Sequence, residues 1–291
     1  MKPIALITGA AGLIGGCLIR SAWRWAPQWE VRGLTRAEVD LTDGSRVQDL
    51  WRLCHPSLVI HCAALSRTGA CERDPAQARR INVEATKRLA DLAHAIPFVF
   101  LSSDQVFDGL KGNYVETDEI HPLNVYGQTK AEAEQIVLQN PAHSVIRVAL
   151  TAGTSATHDR SFVEDMLRAV AQGTMLTLFT DEFRCPIPAG ALVRALWEFV
   201  ECKQPGLYHL GGSDRLSRWE IGELLAGWYP ELRPSIQPGS VADYHGPSRP
   251  PDLSMRSDKL QALLAFRLPG LRQWLASGPR IGDDPWDHPH G

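Results

Sequence analysis

The fold of this chain is indicated by one stretch near its start, Ile4-Ala5-Leu6-Ile7-Thr8-Gly9-Ala10-Ala11-Gly12-Leu13-Ile14-Gly15. It begins with an apolar run typical of a buried parallel strand and leads into a helical segment over residues 17–25. Glycines spaced Gly-x-x-Gly-x-x-Gly allow a tight turn and let the main chain approach a pyrophosphate at the helix N-terminus. Strand, triplet and helix together predict a dinucleotide-binding turn. The cofactor contacts that we expect from it come from Gly9, Ala11, Gly12, Leu13 and Ile14.

Apolar strands continue to alternate with helical segments up to residue 148, with strands predicted at 30–34, 57–62, 98–101 and 145–148. This alternation predicts an α/β fold with a Rossmann-type, doubly wound parallel sheet. We expect an NAD(P)-binding domain over residues 1–150 and about 177–205. A smaller C-terminal substrate-binding lobe is expected over residues 151–176 and about 206–280, and a frayed tail over 281–291.

The composition excludes several classes of protein. A chain of 291 residues that is 44% hydrophobic can bury a full core. Its net charge of −3 gives no electrostatic reason to expect nucleic acid or an anionic membrane as a partner. No segment approaches the ~20 apolar residues that cross a bilayer, and six scattered cysteines without a Cys-x-x-Cys pair favour free thiols over zinc. We expect a cytoplasmic protein that acts on a small molecule without a metal, and its oligomeric state stays open.

Residues after the second and third strands indicate which dinucleotide binds. At the end of the second strand an acid suits a free ribose 2′-hydroxyl and an arginine suits a 2′-phosphate. Arg36 therefore favours NADP(H), although NAD(H) stays possible and a solvated loop arginine is the alternative. Asp40, beside Leu41, could accept a hydrogen bond from the adenine amino group or serve as a turn or helix cap. The small pair Ala63-Ala64 lets a flat cofactor pass close to the main chain.

Two polar residues in this half have structural interpretations. His61 ends the third strand, and we expect it to be satisfied locally rather than to act as a base, because no neighbouring carboxylate suggests a relay. Asn82 falls inside a helix predicted over residues 74–95. Because asparagine is unfavourable in a helix interior, its presence indicates a buried polar role.

Tyr126 and Lys130 lie one turn apart on a predicted helix, a spacing that is also common on exposed helices. A lysine cation close to a phenol favours the phenolate, so we expect Lys130 to lower the pKa of Tyr126. Tyr126 could then exchange a proton with a carbonyl or alcohol oxygen at neutral pH. Ser103, after the fourth strand, could hydrogen-bond the same oxygen. Ser102 is its competitor, and the two should point opposite ways.

The chain resembles the extended short-chain dehydrogenase/reductases, through the turn at 8–15, Ala63-Ala64, Asn82, Ser103, Tyr126 and Lys130. Within them it is similar to the dTDP-4-dehydrorhamnose reductases, in the stretches Ser102-Ser103-Asp104-Gln105-Val106-Phe107-Asp108-Gly109, Pro122-Leu123-Asn124-Val125-Tyr126-Gly127 and Gly206-Leu207-Tyr208-His209-Leu210-Gly211-Gly212. The resemblance implies that Ser103, Tyr126 and Lys130 are catalytic. It also implies that Lys130 holds the nicotinamide ribose, that Asn82 supports the site, and that Ser102 contributes to cofactor binding.

The chain departs from that family where the sugar is expected to bind. Gln105 stands where the family has an aromatic residue, and Leu150 stands where a second aromatic is expected after Arg147. Cys17 replaces a carboxylate that some members link to magnesium-dependent dimers, so neither that metal nor that dimer is expected. Gln105 also argues against a dehydratase, because such enzymes use a carboxylic acid at this position to move protons and an amide cannot.

Three further arginines are candidate phosphate ligands, because a guanidinium can bind phosphate bidentately. Arg184 is the main candidate, with a surface salt bridge as the alternative, and Arg249 and Arg256 are weaker ones. Gln105 is a further substrate-binding candidate. The segment 234–251, rich in proline, glycine and serine, is predicted to be a long functional or mobile loop.

The sequence favours an NADPH-dependent reductase of a nucleotide-linked keto sugar with Tyr126 as proton donor. Two alternatives stay open. One is a non-catalytic NADP-binding regulator, because the family includes the regulatory β subunit of methionine adenosyltransferase. The other is an epimerase that uses the same Ser103, Tyr126 and Lys130 with tightly held NAD.

Overall fold

The computed structural model describes residues 2–246 and 248–277. Within them the strands are β1 Ile4–Thr8, β2 Glu30–Leu34, β3 Leu58–His61, β4 Phe98–Ser103, β5 Ser144–Val148, β6 Thr151–Ala152, β7 Leu176–Phe179, β8 Phe183–Arg184, β9 Ile187–Pro188, β10 Gly206–Leu210, β11 Leu216–Ser217 and β12 Ile236–Gly239. The α-helices are α1 Leu13–Trp25, α2 Gly44–Cys54, α3 Thr68–Arg73, α4 Pro75–Arg79, α5 Ala85–Leu92, α6 Val125–Val137, α7 Phe162–Ala171, α8 Ala189–Cys202, α9 Arg218–Trp228, α10 Asp258–Gln261 and α11 Leu271–Ala276.

Six strands form one sheet in the order β10-β5-β4-β3-β1-β2, and every pair in it is parallel. From β1 the chain crosses to β2 on one side and then returns to β3 on the other. The direction of winding therefore reverses between β1 and β3, where open α/β sheets bind their ligands at the carboxyl ends of the strands. The doubly wound Rossmann-type sheet predicted from the sequence is confirmed.

Helices cover both faces of this sheet. One hydrophobic cluster joins the strands to α1 and α8, and the other joins them to α2, α5 and α6. Because helices cover both faces of the inner strands, β1, β3 and β4 are nearly continuous apolar runs, and all six residues of β4 are buried. The edge strand β2 alternates between exposed and less exposed residues.

The C-terminal part builds a separate hydrophobic cluster around α7, α9 and α11. Helix α9 begins with a capping box formed by Ser217 and Glu220. Two expectations are corrected. The strand at 206–210, assigned to the lobe, instead extends the central sheet beside β5, and the segment 234–251 contains β12, which pairs with β7. The tail predicted over 281–291 lies outside the described residues. Across the described parts of the chain, every helix is too short or too polar to span a bilayer.

Candidate active site

The glycine turn joins β1 to α1 at the crevice. Gly9 has a φ of 71°, and a Cβ there would lie 2.8 Å from the main-chain nitrogen of Ala63, so only glycine fits. Gly12 is the N-cap of α1. Among the described residues no side chain caps this helix, and its first turn holds no acid. The first N–H groups of α1 therefore suit an anion, and the turn fits the pyrophosphate of a dinucleotide.

A buried histidine ties this turn to β3. His61 Nδ1 lies 2.7 Å from Thr8 Oγ1, and Nε2 lies 3.0 Å from Thr86 Oγ1. Because the Thr86 hydroxyl donates to the carbonyl of Asn82, it accepts from His61, which places the ring hydrogen on Nε2. Burial lowers the pKa of His61 to about 3, so the ring is neutral. The expectation that His61 is satisfied locally is confirmed.

Asn82 clamps the loop after Ala63-Ala64 to helix α6. It lies in a π-helical turn, Arg80–Glu84, which interrupts the helix predicted over 74–95, and its side chain is only 1% exposed. Oδ1 accepts from the Leu65 N–H at 2.8 Å, while Nδ2 donates to the Leu65 carbonyl at 3.1 Å and to Thr129 Oγ1 at 2.9 Å. The predicted buried polar role is confirmed, and π-turns of this kind are frequent at functional sites.

The residues predicted to bind the adenosine end lie beyond β2 and near the start of α2. Arg36 is largely exposed and lies 3.7 Å from the Asp40 carboxylate. Asp40 Oδ1 accepts from the main chain and the hydroxyl of Thr42, which lowers its pKa. The turn role is thus present for one oxygen of Asp40. Leu41 is half-buried and its carbonyl accepts from Arg88 at 2.8 Å. Their cofactor contacts stay a prediction.

Ser103 and Tyr126 meet at the carboxyl end of β4. The Ser103 hydroxyl lies within hydrogen-bonding reach of the Tyr126 phenol and donates to Asp104 Oδ1 at 3.0 Å. Ser102 points the other way, as the alternation predicted, and its hydroxyl donates to Glu134. Any contact between Ser102 and a cofactor is therefore left to its main chain.

Lys130 is almost fully buried, and its ammonium is directed at the carbonyl of Leu101, 4.0 Å from the centre of the Phe100 ring. Burial lowers the pKa of Lys130 to about 7, opposed by the charge of Glu134. Burial also raises the pKa of Tyr126 above its ordinary value, opposed by the hydrogen bond between Tyr126 and Ser103. The expectation that Lys130 lowers this pKa is therefore wrong, because loss of water around the phenolate dominates.

A buried ion pair lies behind Lys130. Arg147 donates to both oxygens of Glu134, at 3.0 Å from Nε to Oε1 and 2.8 Å from Nη2 to Oε2. Its Nη1 lies 3.3 Å from Nε2 of His209, whose pKa is lowered to about 3 by burial. Because Arg147 already neutralises Glu134, Lys130 lacks a full counter-ion, which is consistent with its lowered pKa.

Five charged side chains gather on the lobe side of Ser103: Asp104, Glu182, Arg184, Arg218 and Arg249. Glu182 accepts from Arg184 Nη2 at 2.9 Å and from Arg249 Nε at 2.7 Å. Burial raises the pKa of Asp104 to about 6, opposed by the charge of Arg184. Three guanidinium groups against two carboxyls leave this cluster positive, which suits an anionic ligand.

The structure brings Arg184 and Arg249 together through Glu182, in a buried pair rather than the surface bridge considered for Arg184. Arg256 lies apart, in an exposed pair with Asp258 at 2.7 Å. Arg218 was not among the candidate residues predicted from the sequence. It begins α9, its guanidinium stacks 5.2 Å from the Phe162 ring, and it makes no ion pair with any residue that the structure describes. A cation in the first turn of a helix opposes the macrodipole, and this was the available signal.

Comparison with known proteins identifies the family. The protein-family model described as "RmlD substrate binding domain" matches residues 1–278 of this chain. A dTDP-4-dehydrorhamnose reductase of Sinorhizobium fredii is 30% identical over 94% of this chain and 95% of its own length. Methionine adenosyltransferase 2 subunit beta of Rattus norvegicus is 29% identical over 89% of this chain and 81% of its own length.

Solved structures share the fold. The crystal structure of dTDP-4-dehydrorhamnose reductase from Bacillus anthracis in complex with NADP superposes with a TM-score of 0.85 at 23% identity, covering 95% of this chain and 98% of that one. At this sequence identity the similarity supports a shared fold and nothing further. The match to the family model, together with the relative at 30% identity, shows that the chain belongs to the RmlD substrate-binding domain family.

Proposed function

We propose that this protein is an NADPH-dependent reductase of a nucleotide-linked keto sugar. The observation that carries the proposal is the meeting of Ser103 and Tyr126, with Lys130 one turn further along α6, at the edge of the sheet where the glycine turn opens. A relative at 30% identity named as a dTDP-4-dehydrorhamnose reductase supports it. Arg36, exposed beyond β2, is the residue that would favour the 2′-phosphate of NADPH.

NADPH, when bound, supplies the hydride for the carbonyl carbon. In this proposal Tyr126 gives its proton to the carbonyl oxygen. The raised pKa of Tyr126 keeps the phenol protonated at neutral pH, which is the form that a proton donor requires. In this proposal the Ser103 hydroxyl turns its hydrogen from Asp104 to the same oxygen and holds it. Lys130, one turn further along α6, is the cation to which we assign stabilisation of the negative charge that develops on the phenol oxygen.

The positive cluster gives the diphosphate of the substrate a place to bind. Arg218 is its main ligand in this proposal, because the other two arginines are already paired with Glu182. Arg184 and Arg249 add long-range attraction and fix the cluster in place. A neutral keto sugar without phosphate would gain nothing from these charges, so we expect it to bind weakly.

The test compares the wild type with Tyr126→Phe, using NADPH and an enzymatically prepared dTDP-4-keto-6-deoxy sugar. The expected result is NADPH oxidation by the wild type and a loss of at least about 100-fold in kcat for the variant, within the range attributed to general acid catalysis. The affinity for NADPH should be unchanged. Equal rates for the two proteins would rule out Tyr126 as the donor.

A second function is favoured by a separate observation. Relatives at 29% identity are named as the beta subunit of methionine adenosyltransferase 2, and a regulatory subunit needs the fold but no turnover. This alternative predicts NADPH binding without oxidation of NADPH by any keto sugar. It also predicts a stable complex with a methionine adenosyltransferase catalytic subunit in size-exclusion chromatography, which the reductase proposal does not.

A further inference from the structure

The N-cap of α6 fixes the orientation of two side-chain amides. Asn124 Oδ1 accepts the Gly127 N–H at 2.8 Å, and because an N–H can bond only to an acceptor, this contact identifies the oxygen of the amide. The Asn124 Nδ2 group then donates to Gln105 Oε1 at 2.8 Å. Gln105 is left with its NH2 group as the free end of the amide.

The main chain of Gln105 lies against Ser103 and against Gly127, the residue that follows Tyr126. The Gln105 N–H donates to Ser103 Oγ at 3.2 Å, two residues back along the chain. Gly127, next to Tyr126, packs so closely on this turn that a Cβ would collide with the Gln105 carbonyl. Gln105 is thus held on two sides, and its Nε2 makes no hydrogen bond within residues 2–246 and 248–277.

The two positions where aromatic rings were expected offer the substrate no apolar wall. One is Gln105 itself. At the other, Leu150 packs against the hydrophobic cluster of the lobe, and the preceding Ala149 is buried beside Val106 and Phe107. A substrate that covers the Gln105 NH2 group with a methyl group would strip this donor of water without replacing its hydrogen bond, which is unfavourable.

We infer that Gln105 selects keto sugars in which the substituent on C5, the ring carbon next to the reacting carbonyl, is a hydroxymethyl or carboxylate group that carries an oxygen, over 6-deoxy sugars in which that substituent is a methyl group. The oxygen accepts a hydrogen bond from Gln105 Nε2, and Asn124 acts as the positioning residue that keeps this nitrogen turned to the substrate. The inference rests on the proposed reductase function and specifies its substrate class.

The experiment runs the reaction in the direction of alcohol oxidation, with NADP⁺ and pairs of sugars that differ by one oxygen: dTDP-glucose against dTDP-6-deoxyglucose, and dTDP-galactose against dTDP-fucose. The readout is the ratio of kcat/KM for the oxygenated sugar to that for its deoxy partner. We expect a ratio of about 10 in the better pair for the wild type, from one hydrogen bond. Gln105→Leu should reduce it to about 1.

Two variants separate the selection from damage to the fold. Asn124→Ser keeps a good N-cap but removes the amide donor, so Gln105 can turn and the ratio should fall to an intermediate value. Gln128→Leu makes the same change as Gln105→Leu at an exposed position of α6, and it should leave the ratio at the wild-type value.

A wild-type preference for the deoxy sugars, or a ratio that Gln105→Leu leaves unchanged, would overturn the inference while leaving the reductase proposal intact. If NADP(H) binds but neither oxidation of these sugars nor reduction of the dTDP-4-keto-6-deoxy sugar occurs, the reductase proposal fails and the inference fails with it.

Discussion

Replacing Asn82 by alanine tests the part of the site that holds the cofactor loop and α6 together. The change removes three hydrogen bonds from a side chain that is 1% exposed, two to Leu65 and one to Thr129. At about 0.5–1.5 kcal/mol each, their loss should lower the free energy of unfolding by roughly 2–4 kcal/mol. Affinity for NADPH should fall as well, because the released loop follows the Ala63-Ala64 strand end.

The assay is urea unfolding followed by circular dichroism, with the midpoint and the slope measured separately. Asn140→Ala is the matched control. Asn140 is only partly buried: its Nδ2 lies 3.0 Å from both the His94 carbonyl and His143 Nε2, and its Oδ1 accepts from Ala142 at 3.0 Å. Water can replace the exposed bonds, so the cost should stay well below that of Asn82→Ala. Equal destabilisation by the two substitutions would refute the role of Asn82 as a clamp.

Three further predictions concern the cofactor and the buried lysine. Gly9→Ala should abolish NADPH binding, measured by fluorescence titration, because its Cβ would meet the main chain of Ala63 and its φ of 71° would be strained; wild-type affinity would contradict the fit of the turn. Arg36→Ala should weaken NADPH binding about 10-fold and leave NADH binding unchanged, since only NADPH carries the 2′-phosphate; equal effects on both would remove Arg36 from that role. Because the pKa of Lys130 is lowered from 10.5 to about 7, the folded chain binds fewer protons than the unfolded chain between these values, so stability should rise with pH there. Lys130→Met should remove this rise in urea unfolding at about pH 7 and about pH 9, and an unchanged rise would show that another group causes it.

Local patterns sufficed for the features that depend on neighbours in the chain. The strand and glycine turn at 4–15 could be predicted because the steric demand on Gly9 and the orientation of α1 are set within a few residues. The opposite directions of Ser102 and Ser103 follow from strand geometry alone. The low helix propensity of asparagine indicated a polar role for Asn82. Its partners, Leu65 and Thr129, could not be predicted, because they come from two other segments of the chain.

The features that could not be predicted depend on contacts between residues that are far apart in the sequence. The direction of the pKa of Tyr126 is set by burial and by where the Lys130 ammonium is directed, and neither is visible in a Tyr-x-x-x-Lys spacing. Glu182 brings Arg184 and Arg249 together across more than sixty residues, so the sequence could suggest phosphate-binding arginines without showing that two are already paired.

Hydride transfer from NADPH to the sugar is the most direct test of the proposed reductase activity. Wild-type protein is mixed with NADPH deuterated at nicotinamide C4, on the hydrogen that is transferred, and a dTDP-4-keto-6-deoxy sugar, and the product is analysed by mass spectrometry. We expect one deuterium on the former carbonyl carbon of the sugar, and at least about 100-fold slower incorporation with Tyr126→Phe. A sugar recovered without deuterium, from protein shown to have bound NADPH, would contradict the proposed activity.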